Sequence, residues 1–395
     1  MVTRKGYRKS IGLFDLVSLG LGGTIGSGIF IVPGIAAGIA GSSSIIAWLF
    51  ASLSASCVMY SLAKSSSKYP ATGAFYHLFS KVFGKRISIS LVFLYLVSSV
   101  FGISTIASGI GQYIFSFGFH DINLILMVEI SIIMVFCLMN IKGLHLSAKT
   151  EIILTIAKIS PLIILSILLL PFLNESNFYP FYPSSSFDFL KAIVIVYWSF
   201  TGFEIAALFS DETKGGQKIV YRSLKIVIGI TIIVYLFINI SLIGSVGSYV
   251  LANSPAPLAT AYGLILKESN IVIGLIGIIA MISAINAYIV GTTRVLQNLS
   301  YQLGWRILKD LTSSGSPLVA TMTVAIITSI LLLFLSNQFG ELASISVITI
   351  LLPYFFICLS AYKIFSDDYK TKIIASLGAF SVFAIFTIYF LIPLF

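Results

Sequence analysis

The chain has 395 residues, of which 58% are hydrophobic and only 10% charged, with a formal net charge of +10. A soluble domain carries roughly a quarter charged residues, so these charges are too few to cover a globule of this length, and a lipid-facing surface is implied. The placement of the charge argues against a nucleic-acid partner: Lys and Arg sit in short clusters between apolar runs, with no basic tail and no basic stripe interleaved with aromatics.

The N-terminus is basic and then apolar, as in a signal peptide, but the apolar stretch runs on past Pro33 and reads as an uncleaved first span. About 20 apolar residues cross the hydrocarbon layer as a helix. Eleven segments meet that requirement: 11–40, 42–63, 87–117, 123–141, 147–173, 189–210, 219–246, 271–300, 317–335, 341–362 and 371–395. The gaps at 64–86, 174–188 and 247–270 are short enough for loops or lateral helices, and 174–188, with Pro180 and Pro183, reads as a linker between two halves. Cys57, Cys137 and Cys358 lie inside apolar segments, as small buried hydrophobes rather than a disulfide framework or metal cluster.

Basic residues alternate with these spans. Arg4, Lys5, Arg8 and Lys9 fall on the same side as Lys64, Lys68, Lys81, Lys85, Arg86, Lys142, Lys149, Lys214, Lys218, Arg222 and Lys225. Arg294, Arg306, Lys309, Lys363, Lys370 and Lys372 join them. Of the 24 Lys and Arg, Lys191 and Lys267 fall on the other side and Lys158 lies within a span. The positive-inside rule then places the N-terminus in the cytoplasm and the C-terminus outside, in a multi-pass cell-membrane protein.

Two spans carry irregular stretches. The first holds Gly22-Gly23-Thr24-Ile25-Gly26-Ser27-Gly28-Ile29-Phe30, and glycines at this density weaken a helix by roughly 1 kcal/mol each relative to alanine. One reading is close helix packing through Gly22 and Gly26. The other is an unwound segment whose free N–H and C=O groups hold a ligand. A nucleotide loop is disfavoured, because no Lys-Ser/Thr follows and no strand precedes. The sixth span holds Trp198-Ser199-Phe200-Thr201-Gly202-Phe203-Glu204. An odd number of spans separates the repeat positions, so the two halves run in opposite directions, and paired breaks in inverted halves point to a midplane binding site.

At these residues the chain resembles the amino acid–polyamine–organocation (APC) transporter superfamily. The glycine stretch is similar to the family's G-x-x-x-G-S-G-I-F signature, and Trp198 to Glu204 to its W/Y-x-F-x-G-F/V-E signature. Tyr69-Pro70-Ala71-Thr72-Gly73-Ala74-Phe75-Tyr76 with Phe83-Gly84, the turn Asn140-Ile141-Lys142-Gly143, and Arg294 also match family positions in order. Many relatives have twelve spans rather than eleven, and the family's proline-containing loop after helix six stands here as Asp211 to Ile219 without either proline.

The resemblance implies an all-α membrane protein with a LeuT-like 5+5 inverted repeat: a first five-helix repeat at 1–173, a second at 189–362 and an additional C-terminal helix at 371–395. It implies an amino acid permease that works by alternating access without cofactor or metal, with protons as the coupling ion. Thr24, Ile25, Gly26, Ser27 and Gly28 would offer amides to a substrate carboxylate, and Trp198, Phe200, Thr201 and Gly202 carbonyls to its ammonium. Trp198 is also placed to close over a substrate, against the alternative of an interfacial anchor. Glu204, near mid-span, would serve coupling or gating with Tyr95, or else hydrogen-bond a neighbouring helix. Lys158 would load and release a proton, unless it snorkels to the surface. Ser98, Ser99, Asn286 and Tyr288 line the pocket or glue helices together. Glu129 and Glu151, near span ends, receive no role, and His77, His120 and His145 are read as loop residues. Competing functions are a cationic amino acid or polyamine antiporter, which needs an acidic pocket; a nutrient receptor; and a membrane enzyme, for which no nucleophile–base pair appears.

Overall fold

Hydrocarbon offers no partner to a backbone N–H or C=O, so a chain this apolar must satisfy its backbone internally, and a helix does so within one segment. The computed structural model describes residues 11–69, 75–142, 144–181, 186–265, 270–305, 307–312, 315–336 and 338–391. The motif residues at 70–74, Gly143, the N-terminal basic cluster, Lys267 and Arg306 lie outside them, as does the side chain of His145. Among the described residues every regular element is helical, apart from one isolated bridge between Ile11 and Thr213.

The helices are α1 (Leu13–Thr24), α2 (Ser27–Ala40), α3 (Ser44–Lys68), α4 (Phe75–Phe83), α5 (Lys85–Ser116), α6 (Ile122–Ile141), α7 (Leu144–Leu169) and α8 (Ser186–Trp198). After the 3-10 segment Phe203–Glu212 come α9 (Gly216–Val246), α10 (Ser248–Ala252), α11 (Pro257–Tyr262), α12 (Asn270–Leu303), α13 (Leu318–Leu335), α14 (Phe339–Ile364) and α15 (Tyr369–Leu391). Among the described residues ten stretches are long and apolar enough to cross a membrane; the first, Leu13–Lys68, is 56 residues long and contains α1, α2 and α3. The chain is a multi-pass membrane protein. His77 stands on α4 rather than in a loop, and position 145 falls within α7.

Burial sorts the helices. Over 18 consecutive apolar residues within Asp188–Phe209 every residue is buried, whereas only 28% are buried over the corresponding stretches of Ile122–Ile141 and Tyr369–Leu391. The second irregular stretch is therefore central, while α6 and α15 turn outward, presenting Leu138, Phe380 and Phe383 where lipid would lie. Around the centre α5 packs on α12 and α14, α3 on α9, and α7 on α1 and α12.

At one end of the bundle the chain entering α1 meets the end of the 3-10 segment. Ile11 N donates to Glu212 O (3.1 Å) and Lys214 N to Ile11 O (2.8 Å), joining the entry of α1 to the end of the 3-10 segment. The Glu212 side chain accepts from Arg294 Nε of α12 at 3.0 Å. Arg294 also donates to Asn140 Oδ1 of α6 (3.2 Å), and Asn140 Nδ2 donates to Thr293 (3.1 Å). Both members of the ion pair are buried, so taking Glu212 away leaves the Arg294 charge without its carboxylate, at a cost of about 3–5 kcal/mol. Glu212→Leu should lower the unfolding temperature in detergent well below that of the double apolar variant Arg294→Met/Glu212→Leu. Equal losses in the two would show that the buried guanidinium costs nothing without its carboxylate.

Candidate functional site

Both irregular stretches interrupt their helices. Between α1 and α2, Ile25 (φ −87°, ψ 85°) and Gly26 (φ −134°, ψ −137°) leave helical geometry. The amides of the first turn of α2, from Ser27 onward, have no acceptor within the helix, and the positive end of that helix points into the gap. After α8 ends at Trp198 the chain makes tight turns: Ser199, Phe200 and Thr201 amides donate to the carbonyls of Val196, Tyr197 and Trp198, at 3.0, 3.0 and 3.1 Å. Gly202 then takes φ +98°, where a side chain is strained.

The two breaks lie backbone against backbone. A Cβ on Gly202 would come within 2.5 Å of Gly23 O, and one on Gly28 within 2.6 Å of Ser199 Cα. Close packing and unwinding, set as alternatives by the sequence, occur together here. Trp198 Nε1 donates to Ser27 Oγ (3.3 Å), and Thr201 Oγ1 lies 3.1 Å from the Tyr288 hydroxyl. The Tyr235 hydroxyl of α9 is 2.7 Å from Thr24 O and 2.9 Å from Ser199 O, one carbonyl from each break. Its ring stacks edge-on with Phe200 and Trp48, at 5.2 and 5.3 Å.

A void of about 10 Å³ separates the breaks, lined by Gly23, Thr24, Gly26, Ser27, Gly28, Ile106, Trp198, Thr201 and Tyr288. That is room for about one water. A larger cavity of about 460 Å³ lies away from both breaks, between α2, α5, α6 and residues 252–255. Of the residues named from sequence for the pocket, Thr24, Gly26, Ser27, Gly28, Trp198, Thr201 and Tyr288 line the void together. Phe200 turns instead to Trp48 and Tyr235. Ser98 Oγ donates to Ser346 O of α14 (2.7 Å), and Ser99 Oγ to Tyr95 O (2.9 Å) within its own helix. Tyr95 packs its ring on Phe75, 4.7 Å between centroids.

Glu204 Oε2 accepts from Gly202 N (3.0 Å) and from the Tyr354 hydroxyl of α14 (2.6 Å), so the carboxylate holds the second break to a neighbouring helix. Lys158 does not snorkel. It is fully buried, and Nζ donates to Gly22 O of α1 (3.0 Å) and to Ser283 Oγ of α12 (2.8 Å). Ser283 in turn donates to Glu151 Oε1, and Asn286 Nδ2 donates to Glu151 Oε2 at 2.7 Å. Glu151 does lie near the start of its span, as expected from the sequence, and yet it is fully buried against α1 and α12. Glu129 is likewise buried, packed on Gly111 of α5.

Sequence reasoning missed Tyr235, Glu151, Ser283 and Ile106. Tyr235 had a signal, since a phenol in the middle of an apolar span needs a partner. Glu151 and Lys158 had one too, at a spacing of two helical turns on one face. Ser283 and Ile106 had none.

Relatives complete the description. The family described as amino acid permease matches residues 11–395. The inner membrane transport protein YbaT of Escherichia coli is 28% identical over 377 residues, 94% of this chain and 87% of its own length. The branched-chain amino acid permease BcaP of Bacillus subtilis is 24% identical, over 75% of this chain and 68% of its own. The chloroplastic cationic amino acid transporter 9 of Arabidopsis thaliana is 26% identical over 64% of this chain and 48% of its own. With two glycine-bearing breaks pressed together at the centre of a helical bundle, and a family match that runs from the first described residue to the last of the sequence, the chain belongs to the amino acid permease family.

Proposed function

We propose that this permease carries amino acids across the cytoplasmic membrane as a proton-coupled secondary transporter working by alternating access. The observation that carries the reading is the pair of breaks: residues at the start of α2 and Trp198 with Thr201 line one void, and in this reading amides of the first break take the substrate carboxylate and carbonyls of the second its ammonium. In this reading Leu13–Lys68 crosses twice, α1 with α2 and then α3, giving eleven crossings, an N-terminus in the cytoplasm and a C-terminus outside. Two inverted repeats, at 1–173 and 189–362, each open on a broken helix, and 371–395 adds a last helix.

Trp198, Thr201 and the residues at 24–28 contact the substrate, and Trp198 and Ile106 bound the space for its side chain. Among the described residues lining the void there is no carboxylate, and Glu204 is engaged by Gly202 and Tyr354. That favours a substrate with an uncharged side chain over a cationic amino acid or polyamine. The void must widen to admit any of them, through movement of Trp198 off Ser27. Lys158 supplies the coupling: its ammonium is taken out of water and held on Gly22 O, so loss of its proton weakens a charge-assisted bond to the first break. Glu204 and Tyr95 gate the site on the side of Tyr354.

Two variants test this. In reconstituted vesicles, Lys158→Ala should lose most gradient-driven accumulation of labelled amino acid while exchange of internal for external substrate partly persists. Accumulation equal to wild type at every pH removes the lysine from the mechanism. Gly26→Leu should insert into the membrane at normal yield and bind no substrate, because a side chain there meets Ala284 Cβ at 2.6 Å from its first atom. Normal affinity in that variant would show that the glycine stretch merely packs helices.

A further inference from the structure

The function proposed above leaves one buried acid on α7 unused. Glu151 and Lys158 are seven residues apart, two turns along one face of the helix and about 10 Å along its axis. Both are fully buried. The Ser283 hydroxyl bridges them, accepting from Lys158 Nζ at 2.8 Å and donating to Glu151 Oε1. Asn286 Nδ2 holds the other carboxylate oxygen at 2.7 Å, and Thr155 Oγ1 stands 3.5 Å from Oε1. Both ends of this chain touch the same glycine of α1. Lys158 donates to Gly22 O, and the Glu151 carboxylate fills the place a Gly22 side chain would take, with Oε1 2.2 Å from its ideal Cβ position.

The surroundings of Glu151 contain few other ionisable groups. On α1, Ser18 O and Gly22 O approach the cluster, while Asp15 is bonded to Gly12 N at 2.7 Å. On α12, Ser283 and Asn286 face Glu151, and Arg294 is paired with Glu212. On α9, Tyr235 is turned to Thr24 O and Ser199 O. On α6, Glu129 packs on Gly111 of α5, and α11 carries only Tyr262. Among the described residues, Lys158 is the ionisable side chain joined to Glu151 through a hydrogen-bonded chain.

We propose that Glu151 is the second station of the coupling proton, which Lys158 passes to it through Ser283. The Lys158 ammonium gives one proton to Ser283 Oγ, and the hydrogen already on Ser283 moves to Glu151 Oε1. The products are a neutral amine, an unchanged serine and a carboxylic acid. The net charge of the pair is zero before and after, so the transfer strands no unpaired charge in a dry interior. The amine is a weaker donor than the ammonium, so the bond to Gly22 O weakens and the first break is released. Glu151 lies toward the N-terminal end of α7, and its acid then loses the proton to water on that side. The amine regains one from the opposite side when the site faces it. The relay rests on the proton coupling proposed for Lys158 and assigns the direction in which the proton leaves.

The test uses the full-length protein in vesicles, with an amino acid that the wild type carries. Accumulation under an imposed proton gradient and counterflow without one are measured across pH for wild type, Glu151→Gln, Ser283→Ala and Ser283→Thr. Glu151→Gln and Ser283→Ala should lose accumulation roughly ten-fold or more relative to counterflow, with a flattened pH profile. Ser283→Thr, which keeps the hydroxyl, should recover most of it. Ser283→Ala leaves both charged groups in place and carries the test if Glu151→Gln does not fold. Wild-type accumulation and pH profile in both Glu151→Gln and Ser283→Ala overturn the relay and leave coupling at Lys158 standing. If wild type runs counterflow but never accumulates, the proton-coupling reading fails. In that case a counterflow pH profile that Glu151→Gln leaves unaltered overturns the relay as well, and one that it flattens retains proton transfer between Glu151 and Lys158.

Discussion

A helix that stops hydrogen bonding inside hydrocarbon exposes backbone groups that lipid cannot satisfy, each at a cost of several kcal/mol. Three polar side chains at the centre of this protein answer that constraint. Lys158 ends on Gly22 O, Tyr235 on Thr24 O and Ser199 O, and Glu204 on Gly202 N. The side chains come from α7, α9 and the 3-10 segment, so helices remote in sequence are held in place by the needs of two short breaks. Glycine at Gly23, Gly28 and Gly202 then lets the exposed backbones approach until little space remains between them.

The helical, multi-pass character was legible because hydrophobic run length is a one-dimensional property. The spans expected at 123–141 and 317–335 correspond to Ile122–Ile141 and Leu318–Leu335. The breaks were legible for a different reason: glycine density is a local property, and Gly22 to Gly28 announces its own conformation. Whether those glycines pack or unwind could not be decided locally, since Gly23 and Gly202 meet across nearly half the chain.

The polar residues were less legible because a side chain's partner is set by helix rotation and not by sequence neighbours. Ser98 and Ser99 are adjacent to Tyr95 in the helix and equally polar, yet one reaches α14 and the other bonds its own backbone. Asn286, expected at the pocket, is turned onto Glu151. Glu151 was discounted by distance from a span boundary, but packing of α7 against α1 and α12 carries it out of reach of solvent. Depth along a helix and burial are separate coordinates, and only the first can be counted from sequence.

The bridge between Ile11 and Thr213 has a mechanical meaning. It ties the start of α1 to the far end of Phe203–Glu212, so the lower arms of both broken helices share a crosspiece, and Arg294 clamps that crosspiece to α12. In the transport cycle proposed above, a tilt of α1 would therefore carry the other arm with it, like two oars lashed at the handle. The pivots of such a stroke would lie at Ile25-Gly26 and Ser199-Gly202, and since Gly26 and Thr201 also line the void, the stroke would reshape the pocket and shift the arms below it together.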